Sequence, residues 1–155
     1  MAGVRGMSQT RVRAWLAVAI WAVAGAGFTI AFFAWGGPSG YADDRTRIVG
    51  GVVAIAFGYV GYLIAILATR ARGGKVATDE RDAQVVAQAS RATLIVVLVV
   101  VFALSVGLWE GYREAGSVPV GWLWFLAYGV VILASVVHGV ATLVVDGRLG
   151  GDGRG

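Results

Sequence analysis

Cysteine is absent from this chain, which excludes disulfides, thiol catalysis and cysteine-ligated metals. Histidine occurs once, at His138. No Ser/His/Asp arrangement, HExxH motif, carboxylate pair or metal-ligand cluster can be assembled from the motifs present, so the chain is read as a non-enzyme with no cofactor and no metal. The most telling absence is charge. Not one Asp, Glu, Lys or Arg falls within Ala14–Trp35, Ile48–Thr69, Ala92–Trp109 or Val118–Val145.

Those four runs hold 22, 22, 18 and 28 residues, ninety of the 155 in all. A hydrocarbon core of ~30 Å needs about 20 apolar residues of helix, so each run can span it. The chain is 58% hydrophobic with a mean hydropathy of +0.77, above the ~45–50% apolar content of soluble domains. A water-soluble core would interrupt its helices with a polar face, and these runs have none. The fold expected is an all-α four-helix transmembrane bundle. One integral membrane domain covers residues 1–155, with spans of about 14–35, 48–69, 92–110 and 119–145. A loop over 70–91 and a Gly-rich disordered tail over 146–155 complete it.

A pI near 10.0 resembles a nucleic-acid signal, but the position of the cations matters more than their total. Ten of the 13 Lys and Arg lie in the N-terminal arm, the 70–91 loop and the tail, and three lie in the other two loops. By the positive-inside rule this predicts both termini and the 70–91 loop in the cytoplasm, with no nucleic-acid partner. Trp35, Trp109, Trp122 and Trp124 fall at the expected outer interface, where amphipathic rings prefer to sit. Ala22-Val23-Ala24 resembles a signal cleavage site, yet the first run far exceeds the ~7–15 residues of a signal h-region. An uncleaved anchor is expected.

Along the chain, Gly36-Gly37-Pro38-Ser39-Gly40 ends the first span. The second carries small residues at Gly51, Ala54, Gly58, Gly61, Ala65 and Ala68, alternating three and four apart and hence on one face. Such faces let membrane helices approach closely, and Gly51, Gly58 and Gly61 are the packing candidates. Gly73-Gly74 breaks the second helix. Thr78 caps the third, with Asp79 and Glu80 in its first turn. A continuous helix from Asp79 to Glu110 is ~48 Å long, more than the bilayer needs, so its start is expected to extend into the cytoplasm. Pro119 suits the first turn of the fourth.

Two groups of residues are candidate sites. Tyr128, Ser135, His138 and Thr142, spaced 7, 3 and 4, form an intramembrane polar stripe. Either it contacts a substrate or proton, or it is a neutral histidine satisfied inside the bundle. Tyr59 and Tyr62, on the second span, either join that stripe or simply pack. Asp79, Glu80, Arg81 and Asp82 form an acidic-basic cluster that is either a partner-docking segment or a capped, solvated first turn.

From Thr78-Asp79-Glu80-Arg81-Asp82 through Ala89-Ser90-Arg91-Ala92-Thr93, the chain resembles an uncharacterised family of small prokaryotic predicted membrane proteins, classified only as a domain of unknown function. That family is similar in having two spans, a D-E-R-D-type segment leading into a third helix with A-S-x-x-T near its start, and a fourth span. The resemblance implies no activity, but it implies that Asp79 to Asp82 matter beyond capping. Ala, Val, Gly and Arg usage points to a bacterial source and so to the plasma membrane.

The function expected is a non-enzymatic assembly, signalling or accessory membrane protein that uses its cytoplasmic acidic-basic segment for partner contact. Its partners are the lipid bilayer and either a second copy of itself or another membrane or cytoplasmic protein. The alternative is a small transporter subunit with a polar pathway through Tyr59, Tyr62, Tyr128 and His138. The topology is directly testable. Cysteine introduced at Ser39 or Ser117 should react with an impermeant thiol reagent outside whole cells, and cysteine at Ser90 should not; the reverse pattern would invert the orientation.

Overall fold

The structure, a computed structural model, describes residues 9–34, 36–73 and 80–151. Four helices follow in chain order: α1 (Gln9–Ala34), α2 (Arg45–Gly73), α3 (Glu80–Tyr112) and α4 (Gly121–Gly151). Among the described residues there is no strand. All four helices are long and apolar enough to cross a membrane. Even the β-branched centre of α3, Leu94–Val101, is helical. Valine-rich segments favour strands in water, but in hydrocarbon each backbone N–H and C=O must be satisfied within the segment, and a helix does this alone.

The helix ends follow from local chemistry. Asp44 caps α2, its Oδ1 accepting from the backbone N–H of Thr46 at 2.9 Å and of Arg47 at 3.2 Å. The chain leaves α1 through Gly36 and Gly37, both at positive φ, with the Gly37 N–H bonded back to the Phe32 carbonyl at 3.1 Å. That is the reach of a Schellman turn, and it needs the left-handed backbone that glycine adopts without strain. Pro119 sits two residues before α4, and its carbonyl accepts from Trp122 N–H at 3.0 Å.

At the end that carries both termini, every helix runs past its charge-free stretch. Helix α3 alone has 33 residues, ~50 Å against a hydrocarbon thickness of ~30 Å. Its extension does not stand free, since Val85 and Ala89 are fully buried. The disorder expected from Asp146 onward is corrected: α4 continues to Gly151. Arg81 holds the Asp146 carboxylate at 3.2 Å, and Arg148 lies in the last turn, where a cation suits the helix dipole. Trp35, Gly74, Thr78 and Asp79, to which sequence reasoning gave roles, lie outside the described residues.

The packing order is α2–α1–α4–α3. Helix α1 lies against both α2 and α4, α3 packs on the far side of α4, and α2 only grazes α4. The bundle is therefore open between α2 and α3. Its close contacts are made where side chains are missing. A Cβ at Gly58 would meet the Trp21 ring at 2.5 Å, and one at Gly51 would meet the Tyr128 ring and the Tyr41 hydroxyl at 2.8 Å. Gly61 lies against Ile20. On the other side of α1, Gly25 receives Ile132 and Gly139 receives Val18, each with 2.6 Å to a notional Cβ. Dispersion across such contacts replaces the hydrophobic drive that lipid cannot supply.

Trp21 is only 2% exposed and has nowhere to retreat. Gly58→Ala is therefore expected to cost about 1–3 kcal/mol through overpacking. Gly107 on α3 faces open space, so Gly107→Ala should be neutral or stabilising by up to about 1 kcal/mol through its helix propensity. Thermal unfolding in detergent measures both, and equal melting of the two variants would contradict the Gly58–Trp21 contact.

Candidate functional site

The opening between α2 and α3 is a groove with contributions from all four helices. Ala17 and Trp21 come from α1, Tyr59 and Tyr62 from α2, Ser90, Thr93, Leu94 and Val97 from α3, and Ala134, Ser135 and His138 from α4. Its volume is about 470 Å³, within the ~300–1,000 Å³ range of small-molecule sites. Trp21 and Tyr59 form an edge-to-face pair with ring centroids 5.1 Å apart. Because Gly58 lets α2 settle onto Trp21, the next two tyrosines of α2 are carried to the groove wall.

Hydrogen bonding inside the groove is uneven. The Ser135 hydroxyl donates to the Val131 carbonyl at 2.8 Å and the Thr93 hydroxyl to the Ala89 carbonyl at 2.7 Å, each within its own helix. Among the described residues, the His138 imidazole and the hydroxyls of Tyr59, Tyr62 and Ser90 have no protein hydrogen-bond partner. An imidazole carries at least one N–H donor in any tautomer, and a phenol carries one O–H. The groove thus gathers several donors into a largely apolar recess.

The polar stripe is divided by the fold. Ser135 and His138 line the groove. Thr142 is buried at 5% exposure, its hydroxyl donating to the His138 carbonyl at 2.8 Å. Tyr128 is elsewhere, packed on Phe28 with centroids 5.2 Å apart and on Trp124 at 5.7 Å. It lies ten residues from His138, ~15 Å along α4, and its buried hydroxyl has no partner among the described residues.

The start of α3 is tied to its own bundle. Asp82 accepts a hydrogen bond from the Thr10 hydroxyl of α1 at 3.2 Å, and Arg81 donates to both the carboxylate and the backbone carbonyl of Asp146 on α4. Glu80 is exposed. Nearby, the Arg13 Nε donates to the Thr69 hydroxyl at 2.8 Å, joining α1 to α2.

At the opposite end, Arg47 makes a junction that sequence reasoning missed, having counted it only as a loop cation. Its Nη2 donates to the carbonyls of Phe32 at 2.9 Å and Gly37 at 2.5 Å, capping the C-terminus of α1. The Tyr41 ring lies 4.9 Å from the guanidinium carbon, a cation–π distance. The Tyr41 hydroxyl donates to the Arg47 carbonyl at 3.0 Å. Burial, foremost, raises the Tyr41 phenol above its ordinary range; Tyr128 and Asp44 act the same way and Arg47 opposes them. The phenol therefore stays protonated and keeps donating. Aspartate before, and a Gly-Gly turn opposite, an arginine at a helix start was the available signal.

A family model with the description Predicted membrane protein (DUF2178) matches residues 10–146, which take in α2 and α3 and all but the outer ends of α1 and α4. The chain belongs to this family. No curated protein and no solved structure matches it. The DUF2178 match runs from Thr10 to Asp146, so it includes the residues on α1 and α4 that hold the start of α3. Among the described residues no group of three His, Asp or Glu is placed to hold a metal ion.

In this DUF2178 chain, Arg47→Lys should lower stability by about 1.5–3 kcal/mol, because a compact ammonium has no flat face to lie against the Tyr41 ring while a nitrogen holds both carbonyls. Arg45, exposed at the same helix start, supplies the control: Arg45→Lys should melt within about 0.5 kcal/mol of the parent. Indistinguishable unfolding midpoints would remove Arg47 as the cap of α1.

Proposed function

We propose that this four-span protein is a non-enzymatic binding or accessory subunit that holds a small membrane-soluble molecule in the lateral groove between α2 and α3. One observation carries the reading. Helices α2 and α3 do not close on each other, and the recess between them gathers donors on His138, Tyr59, Tyr62 and Ser90 that have no protein partner among the described residues. His138, Tyr59 and Tyr62 lie within charge-free spans, and in hydrocarbon an unmet polar group costs several kcal/mol by order of magnitude. An occupant with matching acceptors relieves that cost. A continuous pathway is less well supported, because Tyr128 belongs to a separate aromatic cluster.

In the same reading the protein lies in the plasma membrane with both termini and the groove's end of the bundle toward the cytoplasm, on the strength of the ten-to-three distribution of cations. A second reading, docking of a protein partner at the start of α3, is supported by the exposure of Glu80. It is weakened by the internal contacts of Arg81 and Asp82.

Extraction in mild detergent followed by organic-solvent release and mass spectrometry tests the groove. The parent should retain one apolar small molecule in near-stoichiometric amount. Thr93→Trp, which fills the recess, and Ser90→Phe, at an exposed rim position, should both lose it. A parent that carries only the bulk lipid also found on Thr93→Trp would overturn the reading.

A further inference from the structure

We infer that the recess between α1 and α2, at the end opposite the termini, binds the head of a phosphatidylethanolamine, with the phosphate at Arg47 and the ammonium at Asp44. This site is separate from the α2–α3 groove and does not depend on what that groove holds.

The recess has a volume of about 530 Å³ and carries two full charges in its lining, Asp44 and Arg47. Their polarity is fixed, since a guanidinium only donates and a carboxylate only accepts. The fold leaves part of each unused. Arg47 commits Nη2 to the Phe32 and Gly37 carbonyls, while its Nε and Nη1 have no hydrogen-bond partner among the described residues. Asp44 commits Oδ1 to two backbone N–H groups of α2, and its Oδ2 accepts from no described residue. The two side chains are not within ion-pair distance of each other. The Thr46 hydroxyl, exposed beside Arg47, adds a neutral donor to the same lining.

Charge selects the occupant. A purely anionic head would face Asp44 and a purely cationic head would face Arg47, each a like charge at close quarters. A head with one charge of each sign meets an opposite charge on both. The aromatic residues then decide between ammonium types. Phe28, Phe32 and Tyr41 stand behind the lining at only 1–3% exposure, so no open ring face is offered to a quaternary ammonium. A primary ammonium needs none, because its N–H donors bond a carboxylate directly.

Position makes the zwitterion a lipid. Asp44, Thr46 and Arg47 lie outside the charge-free stretches, and Phe28, Ala31 and Gly50 lie inside them. The recess thus crosses the level at which polar heads give way to hydrocarbon. Inward of Ala31 by one turn, Gly27 of α1 faces open space. Inward of Gly50 by one and two turns, Val53 and Phe57 of α2 are exposed. Acyl chains descending from the recess have an apolar strip on each helix to lie against.

The test uses the full-length protein in detergent, with dioleoyl phosphatidylethanolamine, phosphatidylcholine and phosphatidylglycerol supplied at equal concentration and bound lipid counted by native mass spectrometry. The parent should retain one phosphatidylethanolamine about tenfold more tightly than either of the others, the worth of one charge-assisted hydrogen bond. Asp44→Asn keeps an oxygen to cap α2 and removes only the charge. It should melt like the parent, lose the preference for phosphatidylethanolamine and bind phosphatidylglycerol at least as well. A Cβ at Gly50 meets nothing within 4 Å, so Gly50→Leu should fill the recess without disturbing the bundle and should lose the selective lipid. If Gly50→Leu does not fold, Thr46→Val takes its place, with a smaller loss expected. Equal retention of the three lipids by the parent, or a preference for phosphatidylcholine or phosphatidylglycerol, would overturn the inference. So would parent-like selectivity in Asp44→Asn together with the folded recess variant, since the lipid would then sit elsewhere. Free phosphoethanolamine should not displace the bound lipid at equal concentration; displacement would make the occupant a soluble zwitterion and overturn the lipid assignment. None of these outcomes bears on the α2–α3 groove, whose variants are different.

Discussion

The approach of α1 to its two neighbours through patches without side chains is the contact on which the rest of the bundle depends. Lipid tails are as apolar as valine, so burying apolar surface between helices gains little, and close packing must do the work instead. Gly58 admits the edge of Trp21 from one side, and Gly25 and Gly139 admit Ile132 and Val18 on the other. Helix α1 is thereby fixed between α2 and α4, and α3 joins only through α4. The linear order α2–α1–α4–α3 and the open side follow from where those glycines lie.

Polar groups then lock the two ends of a packing that dispersion alone would leave free to slide. At the end with the termini, Thr10–Asp82, Arg81–Asp146 and Arg13–Thr69 each join two different helices. The Arg81–Asp146 pair is modest, since Arg81 is about half exposed and such pairs contribute ~0–1 kcal/mol. At the other end, Arg47 bonds the last carbonyls of α1 while stacked against Tyr41. The Trp122 indole donates to the Tyr112 hydroxyl at 2.9 Å, joining α3 to α4 there. Polar chemistry is thus concentrated at the helix ends, where water is available to compete, and is sparse between them.

The groove is the exception. Tyr59, Tyr62, Ser135 and His138 fall within the charge-free stretches, with Ser90 just outside the third, and the fold leaves them open on the side where α2 and α3 fail to meet. Closing that side would require small residues on the facing surfaces of α2 and α3. The faces present instead Tyr59 and Tyr62 against Leu94 and Val97, all too large for backbones to approach. The same residues that keep the bundle from closing therefore line the recess.

The four spans and their helical state were determined by the sequence alone, because ninety residues without a charge leave hydrocarbon as the only suitable solvent and helix as the only self-satisfied backbone. Membership of a family of membrane proteins was legible in the same way, from the Asp79–Asp82 segment and the serine and threonine that follow it. Periodicity placed Gly51, Gly58 and Gly61 on one face, but could not name Trp21 as the ring that fills it. It also aligned Tyr128 with His138 on one stripe, although neighbours differ along α4, so one joins an aromatic cluster and the other a groove. Arg47 and Tyr41 gave no periodic signal, since their partners are backbone carbonyls at the end of another helix. Helix α4 continues past Asp146, whose carboxylate meets Arg81, 65 residues earlier in the chain, a contact that no local pattern announces. Which helices touch, and hence which polar groups are left without partners, was decided only by the tertiary structure, because in lipid every helix face is equally apolar until a specific neighbour fits it.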